Sequence, residues 1–155
     1  MLDKNTYKLI TKNKKAYFDY EILDSWEAWI ELKWYEVKSV RNWYINLKWS
    51  YIVAIWEELF LKWANISAWK ALPKNSSIET DRIRKLFLKK KTIIYLLWKI
   101  KEKWFSIIPL EVYFKWNLIK IKVALAKGKK AYQKKQVLKE RAMDKQAKIM
   151  MKKYI

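Results

Sequence analysis

Glycine is nearly absent from this sequence of 155 residues, which contains one glycine and 11 tryptophans. Glycine normally supplies about 7% of a chain, because tight turns and helix C-termini require a positive φ that glycine adopts without steric cost. Other residues must therefore occupy those turns, and tryptophan is the residue present in excess.

Cysteine and histidine are also absent. Their absence excludes thiolate nucleophiles, disulfides, imidazole bases and the usual zinc ligands, and with them most familiar enzyme chemistries. We therefore expect a protein with no catalytic residues, no metal and no cofactor. No stretch approaches the roughly 18 uncharged apolar residues of a membrane span. The N-terminus lacks the apolar segment of a signal peptide, and the chain is expected to be cytoplasmic, with no membrane partner.

Positive charge dominates what is present. The chain has 35 Lys and Arg against 15 Asp and Glu, a formal net charge of +20. Such an excess favours polyanionic partners, either nucleic acid or an anionic membrane surface. The length suits one compact domain with a tail.

Local patterns predict a mainly β fold. Alternating aromatic and β-branched residues predict three hairpins, at 16–32, 50–61 and 106–125, the first broken at the turn formers Asp24-Ser25. A short helix is expected to end at Asn42-Trp43. An apolar stripe predicts a longer amphipathic helix over 89–103.

Two further segments lack such a pattern. Pro, Asn and Ser mark 71–84 as a surface loop. After Gly128 the chain is rich in lysine and has no apolar stripe wide enough to fold alone, which predicts a basic tail that stays disordered until it binds. Several short strands with one short and one longer helix indicate a small β-barrel followed by this tail.

Five strings of residues carry a family resemblance. They are Asn13-Lys14-Lys15-Ala16, Glu27-Ala28-Trp29, WYEVKSVRNW over 34–43, DRIRKL over 81–86 and ALAKGKK over 124–130. In order and spacing they resemble the SsrA-binding protein (SmpB) family over roughly 13–141. The resemblance implies an OB-like β-barrel that binds the tRNA-like domain of tmRNA and delivers it to stalled ribosomes, the ribosome rescue called trans-translation. The implied organisation is an N-terminal extension over 1–12, a tmRNA-binding barrel over 13–130 and a basic tail over 131–155.

The resemblance also implies which residues contact tmRNA. They are Asn13, Tyr20, Glu27, Phe87, Lys127, Gly128, Lys129 and Lys130. Basic groups neutralise phosphates, while aromatic and amide groups stack on or hydrogen-bond to unpaired bases. Taken singly, Tyr20 and Phe87 are more often packing residues, and Glu27 a solvated strand residue. A phosphate contact at 127–130 is expected without the resemblance, because Gly128 would let backbone N–H groups approach an anion.

The tail is implied to contact the ribosome. By resemblance it lies in the mRNA channel near the decoding centre and becomes helical there, through Lys134, Lys135, Lys139, Arg141, Lys145 and Lys148. The alternative is a lysine run that binds any nucleic acid. Gln133-Lys134-Lys135 stands where the family usually has Asp-Lys-Arg, so an acidic and a bidentate group are both replaced.

Nine of the 11 tryptophans align with family glycines or fall at turns where glycine is acceptable. They are Trp29, Trp34, Trp43, Trp49, Trp56, Trp63, Trp98, Trp104 and Trp116. Trp26 and Trp69 do not. Our hypothesis is that the gene uses UGA as a glycine codon. Positive φ at several of these positions would be strained for tryptophan and unstrained for glycine.

Three other functions stay open at this point. The chain could be a ribosomal or general RNA-binding OB-fold protein. Its Trp and Lys content would also suit a membrane-active cationic protein. A Mg²⁺-dependent nuclease would need paired carboxylates, and the candidates are Glu57-Glu58 and Glu79 with Asp81.

Overall fold

A computed structural model of the protein describes residues 7–73 and 76–153. The strands are β1 (Tyr7–Lys12), β2 (Tyr20–Ile30), β3 (Ile45–Asn46), β4 (Tyr51–Ile55), β5 (Glu58–Lys62), β6 (Asn65–Ile66), β7 (Arg84–Phe87), β8 (Phe105–Lys115) and β9 (Leu118–Gly128). The helices are α1 (Lys14–Asp19), α2 (Trp34–Arg41), α3 (Lys90–Ile100) and α4 (Ala131–Lys153). The predicted mainly β fold is confirmed.

The strands pair antiparallel in the order β1-β8-β4-β5-β7-β2-β9, and β9 pairs in addition with β8. Six strands therefore form a ring of hydrogen-bonded neighbours, in the order β8, β4, β5, β7, β2 and β9, with β9 pairing again with β8. Strand β1 is attached outside this ring, along β8. A separate pair joins β3 to β6.

Most of the apolar core lies on one side of these strands. Alternate residues of β2, β5, β7, β8 and β9 are buried there together with Val40 of α2 and Leu96 of α3. Ile93 and Ile100 of α3 pack against the same cluster. The amphipathic helix predicted over 89–103 is thus confirmed, but it ends at Ile100.

The hairpin predicted over 16–32 is wrong. Its first part is helix α1, and the rest is the single strand β2 of 11 residues. Strand β9 pairs with β2 over its length, and this pairing keeps the turn formers extended. In place of the turn expected at Asp24-Ser25, the strand has a β-bulge, where the pairing register shifts between Ile22 and Asp24.

The other two predicted hairpins are confirmed as β4–β5 and β8–β9. The short helix is confirmed as α2, which ends in a Schellman motif: Trp43 N–H donates to the Val40 carbonyl and Tyr44 N–H to the Ser39 carbonyl, both at 3.0 Å. In the described part of the loop at 71–84, β7 begins at Arg84.

A buried ion-pair network closes the loop that leads into β7. Glu36 and Arg84 are 2% and 0% exposed, and the Arg84 guanidinium donates to Glu36 Oε1 at 2.8 Å and to the Ala64 carbonyl at 2.7 Å. Arg82 Nη2 donates to the other carboxylate oxygen at 2.7 Å. Burial opposes ionisation of Glu36, but these bonds outweigh it and hold its pKa below the ordinary value.

Both ends of the described chain form regular secondary structure. Residues 7–12 of the predicted N-terminal extension form β1 within the sheet, and Tyr7 donates to Glu111 at 3.0 Å. The basic tail, expected to order only on binding, is helix α4 from Ala131 to Lys153, and none of its residues is buried. Residues 1–6, 74–75 and 154–155 lie outside the described residues.

Candidate nucleic-acid interface

One face of β2 and β9 points away from the main core, and we call it the outer face. Tyr20 pairs with Gly128 of β9, and Glu27 pairs with Lys122. Both partners are even-numbered positions of a strand without a bulge, so Tyr20 and Glu27 point to the same side of the sheet. Counted along β2, residues 20 and 27 would lie on opposite faces. The bulge at Leu23 brings them to the same face, about 20 Å apart.

Glu27 lies at the centre of a cationic cluster on this face. Its carboxylate accepts hydrogen bonds from Tyr113 Oη at 2.6 Å, Lys115 Nζ at 3.1 Å and Lys120 Nζ. Burial opposes ionisation, but the bonds from Lys120, Tyr113 and Lys115 outweigh it and lower the pKa of Glu27 to about 2. The carboxylate therefore stays ionised at neutral pH and orients two lysines.

Glu27 and Phe87 line one open cavity of about 590 Å³, between β2, β7 and the start of α3. Trp29 lies directly opposite Phe87 in the strand register, and the two side chains are 46% and 45% exposed. Lys120 Nζ lies 4.5 Å from the Trp29 ring centre. Aromatic faces beside ammonium groups suit an unpaired base and its phosphate.

Several residues of this cavity were not predicted. They are Trp26, Leu88, Lys89, Thr92 and Lys120. Lys120 is far from Glu27 in the sequence, and only the register of β9 against β2 brings the two together. Lys89 and Thr92 follow Phe87 closely, so their proximity to it was the one available signal.

Asn13 is placed differently from its prediction as an RNA contact. It is 4% exposed, and both ends of its amide are used within the chain. Oδ1 accepts from Ala16 N–H at 3.1 Å, which caps α1, and Nδ2 donates to the Pro109 carbonyl at 3.0 Å. The structure therefore gives Asn13 the role of fixing α1.

Helix α1 packs on the outer face at the end opposite to Glu27. Ala16 lies in a small cluster with Ile108, Leu110, Ala124 and Ala126, and Tyr20 packs against its edge. A cavity lined by Asn13, Lys15, Asp19 and Tyr20 opens beside α1.

The segment 127–130 connects the outer face to α4. Gly128 has no positive φ, and the two amides that follow it are already bonded within the chain. Lys129 N–H donates to the Asp19 carbonyl at 2.8 Å, and Lys130 N–H donates to Gln133 Oε1 at 2.8 Å. The Lys129 ammonium donates to the Tyr17 carbonyl at 3.1 Å, while the side chains of Lys127 and Lys130 are exposed.

Some basic residues of helix α4 contact α1, and the others are exposed to solvent. Lys134 Nζ lies 2.9 Å from Asp19 Oδ1, and Arg141 lies 5.5 Å from the Phe18 ring centre. Lys15 also pairs with Asp19, at 3.0 Å. The other predicted tail residues, Lys135, Lys139, Lys145 and Lys148, are exposed.

Gln133, which stands at the Asp position of the family's Asp-Lys-Arg, makes a hydrogen bond at the start of α4. Its side-chain oxygen accepts from the backbone of Lys130, the residue before α4. A glutamine at the third helical position makes this bond in a capping box. The replacement keeps the start of α4 satisfied without adding a negative charge.

Neither nuclease pair is assembled into a metal site. Among residues 7–73 and 76–153, no group of three or more Asp or Glu side chains converges to hold an ion. Glu58 pairs instead with Lys85, and Glu57 occupies the β4–β5 turn. Across the same described ranges, the helices are too short or too polar to cross a membrane.

Comparison with known proteins matches this chain to one family. The family model described as SmpB protein matches residues 10–153. An SsrA-binding protein of Helicobacter hepaticus is 43% identical, over 95% of this chain and 96% of that protein. One of Mycoplasma mycoides is 41% identical, over 86% of this chain and 90% of that protein.

A solved structure shares the fold. It is described as "tmRNA-SmpB: a journey to the center of the bacterial ribosome", and its matching chain is 35% identical with a TM-score of 0.65. The match covers 78% of this chain and 85% of that one.

Proposed function

Because the chain belongs to the SmpB family of SsrA-binding proteins, we propose that it binds the tRNA-like domain of tmRNA and delivers it to stalled ribosomes. It acts in the cytoplasm as an RNA-binding adaptor and does no covalent chemistry of its own. The observation that carries this proposal is the outer face, where exposed aromatic rings, an ionised glutamate and several lysines lie side by side.

The strands that present this face form a small OB-like barrel, in our proposal. Support comes from the ring of paired strands and from the core cluster that alternate residues of those strands bury. A closed ring of strands is a rigid support, so the side chains on its surface keep their spacing when RNA binds.

The tmRNA contacts divide between two ends of the outer face. Glu27 and Phe87 contact unpaired bases at one end, together with Lys120. At the other end, Tyr20 and the side chains of Lys129 and Lys130 contact the RNA backbone. Lys127, which pairs with Glu21 and points to the other side of β9, is exposed at the same end and also contacts the RNA backbone in our proposal. Gly128 and Asn13 support the contacts indirectly. Gly128 pairs with Tyr20 in the sheet, and Asn13 caps α1.

Helix α4 is the proposed ribosome contact, in the mRNA channel and near the decoding centre. At 1.5 Å per residue its 23 residues span about 34 Å. Lys134, Arg141, Lys145 and Lys148 follow one another at spacings of seven, four and three residues, which places them on one stripe of the helix. Lys134 at its start is paired with Asp19, so the exposed Arg141, Lys145 and Lys148 are the members that can follow a phosphate backbone.

The test is a comparison of two RNAs. The tRNA-like domain of tmRNA and an unstructured RNA of equal length are titrated with the protein at 50 and 200 mM salt. Phosphate contacts alone, about 6–10 of them, would weaken both complexes 10³–10⁵-fold over this range. We expect the tRNA-like domain to bind more tightly at both salts, since base contacts are less sensitive to salt. Equal affinities would favour the general RNA-binding protein instead.

Phe87→Ala tests the base contact separately. Stacking of a base on an aromatic ring contributes about 1–3 kcal/mol, so the affinity for the tRNA-like domain should fall roughly 5–150-fold. Ile83→Ala is the matched control, because Ile83 is equally exposed at 47% and lies outside the cavity. An equal loss in both variants would contradict a specific contact at Phe87.

A further inference from the structure

Tryptophan occupies backbone conformations that favour glycine. Among the described residues, seven that are not glycine have φ between 50° and 69°, and five of them are Trp43, Trp49, Trp56, Trp63 and Trp116. A bulky residue at positive φ is a genuine outlier. The single glycine, Gly128, does not use a positive φ.

Three of these tryptophans stand in motifs whose geometry requires positive φ. Trp43 is the left-handed residue of the Schellman motif that ends α2. Trp56-Glu57 and Trp116-Asn117 are the two-residue loops of the β4–β5 and β8–β9 hairpins, with φ of 50° and 61° and of 54° and 63°. Positive φ at both central residues is the signature of a type I′ turn, in which glycine and asparagine are preferred.

The side chains at these positions are also largely exposed to solvent. Trp56 is 93% exposed and Trp104 71%, and the nine tryptophans aligned with glycine or placed at turns are all at least 46% exposed. Tryptophan is normally highly buried on average. Trp26 and Trp69 behave as ordinary tryptophans: both are half-buried, and Trp26 packs on the main core.

We propose that the working protein carries glycine at these nine positions, because their codons are UGA and the cell that makes the protein decodes UGA as glycine. The tryptophans at 26 and 69 are genuine and encoded by UGG. Two independent observations support this division, backbone φ at five positions and side-chain exposure at all nine. At Trp29, Trp34, Trp98 and Trp104, where φ is not positive, the proposal rests on exposure together with the alignment to family glycines.

Glycine at position 29 changes the candidate RNA site, a consequence that rests on the proposed function. The Trp29 ring forms one wall of the cavity and lies under Lys120. Without it the cavity opens toward solvent, and the Lys120 ammonium, still bonded to Glu27, becomes accessible to a phosphate on the side that the ring had covered. Trp29→Gly should therefore tighten binding of the tRNA-like domain, and Trp26→Gly should not.

The direct test is the mass of the protein purified from the cells that encode it. Peptides covering 43, 56, 98 and 116 should each be lighter by the difference between tryptophan and glycine, while those covering 26 and 69 should carry tryptophan. Tryptophan at 43 and 56, or UGG codons there, would overturn the proposal. This readout does not involve RNA, so it separates the recoding from the proposed function.

A folding comparison gives a second, independent test. Urea unfolding compares the stability of Trp43→Gly, Trp56→Gly and Trp116→Gly with that of the chain that carries all 11 tryptophans. Relief of positive-φ strain should raise the ratio of folded to unfolded protein roughly five- to thirty-fold per site. Trp26→Gly and Trp69→Gly are the matched controls and should lower it. If all five variants lowered the ratio alike, the proposal would fail.

Discussion

At the scale of single residues, the buried Glu36 carboxylate holds together the ion-pair network before β7. It accepts bonds from both Arg82 and Arg84, and Arg84 has no exposed surface. Glu36→Ala would leave a buried guanidinium without its anion, which typically costs 3–5 kcal/mol of unfolding free energy. Urea unfolding measures this loss, with the exposed Glu21→Ala as control. A loss below about 1 kcal/mol would contradict the network.

Glu27 predicts a pH dependence that its position on the surface would not suggest. Its pKa is about 2 in the folded chain against an ordinary value of 4.5, so folding favours its ionised form. The stabilisation is complete above pH 4.5 and is lost as the pH falls toward 2. An NMR titration of the Glu27 carboxyl should show this low midpoint. A midpoint near 4.5 would mean that Lys115 and Lys120 do not hold the carboxylate.

At the scale of elements, α4 is held against α1 by a few polar contacts. Asp19 pairs with Lys134 and Lys15, and its pKa is lowered because bonds from these lysines outweigh the effect of burial. Asp19→Asn should weaken this attachment by up to about 1 kcal/mol and speed amide exchange in the first turns of α4 roughly fivefold. Asp24→Asn is the control, because the Asp24 side chain accepts a hydrogen bond only from the backbone of its neighbour Ser25 among the described residues.

Strand β2 shows how pairing overrides local preference. Asp24-Ser25 predicts a turn, and an isolated segment would favour one, but pairing with β9 on both sides of the bulge keeps it extended. The hairpins at 50–61 and 106–125 were predictable because their partners are adjacent in the sequence. The partner of β2 begins almost 90 residues later, which no local pattern reveals.

At the scale of the whole molecule, the strand ring and α4 are expected to be energetically separate. The core clusters contain no residue of α4, and none of its residues is buried. A chain ending at Lys130 should therefore unfold within about 1 kcal/mol of the full chain, since only partly exposed polar contacts are lost. It should keep its affinity for the tRNA-like domain and lose affinity for ribosomes. Unfolding of the shortened chain in the absence of urea would contradict this separation.

The sequence alone determined the partner class and much of the chemistry. A net charge of +20, together with the absence of Cys and His, pointed to polyanion binding without the usual enzyme groups. Ordered motif strings indicated the family that the comparisons then showed. The excess of tryptophan over glycine was visible before any φ was known. Composition and local motifs carry this information because they do not depend on distant contacts.

Only the tertiary structure decided how the site is assembled. The bulge at Leu23 places Tyr20 and Glu27 on the same face, and the register of β9 brings Lys120 to Glu27 from 93 residues away. Burial turned Asn13 from a predicted contact into a cap of α1. Each of these outcomes depends on pairing between segments distant in sequence. Side-chain direction in a strand reverses with a shift of one residue, so the sequence by itself leaves the face of each residue undetermined.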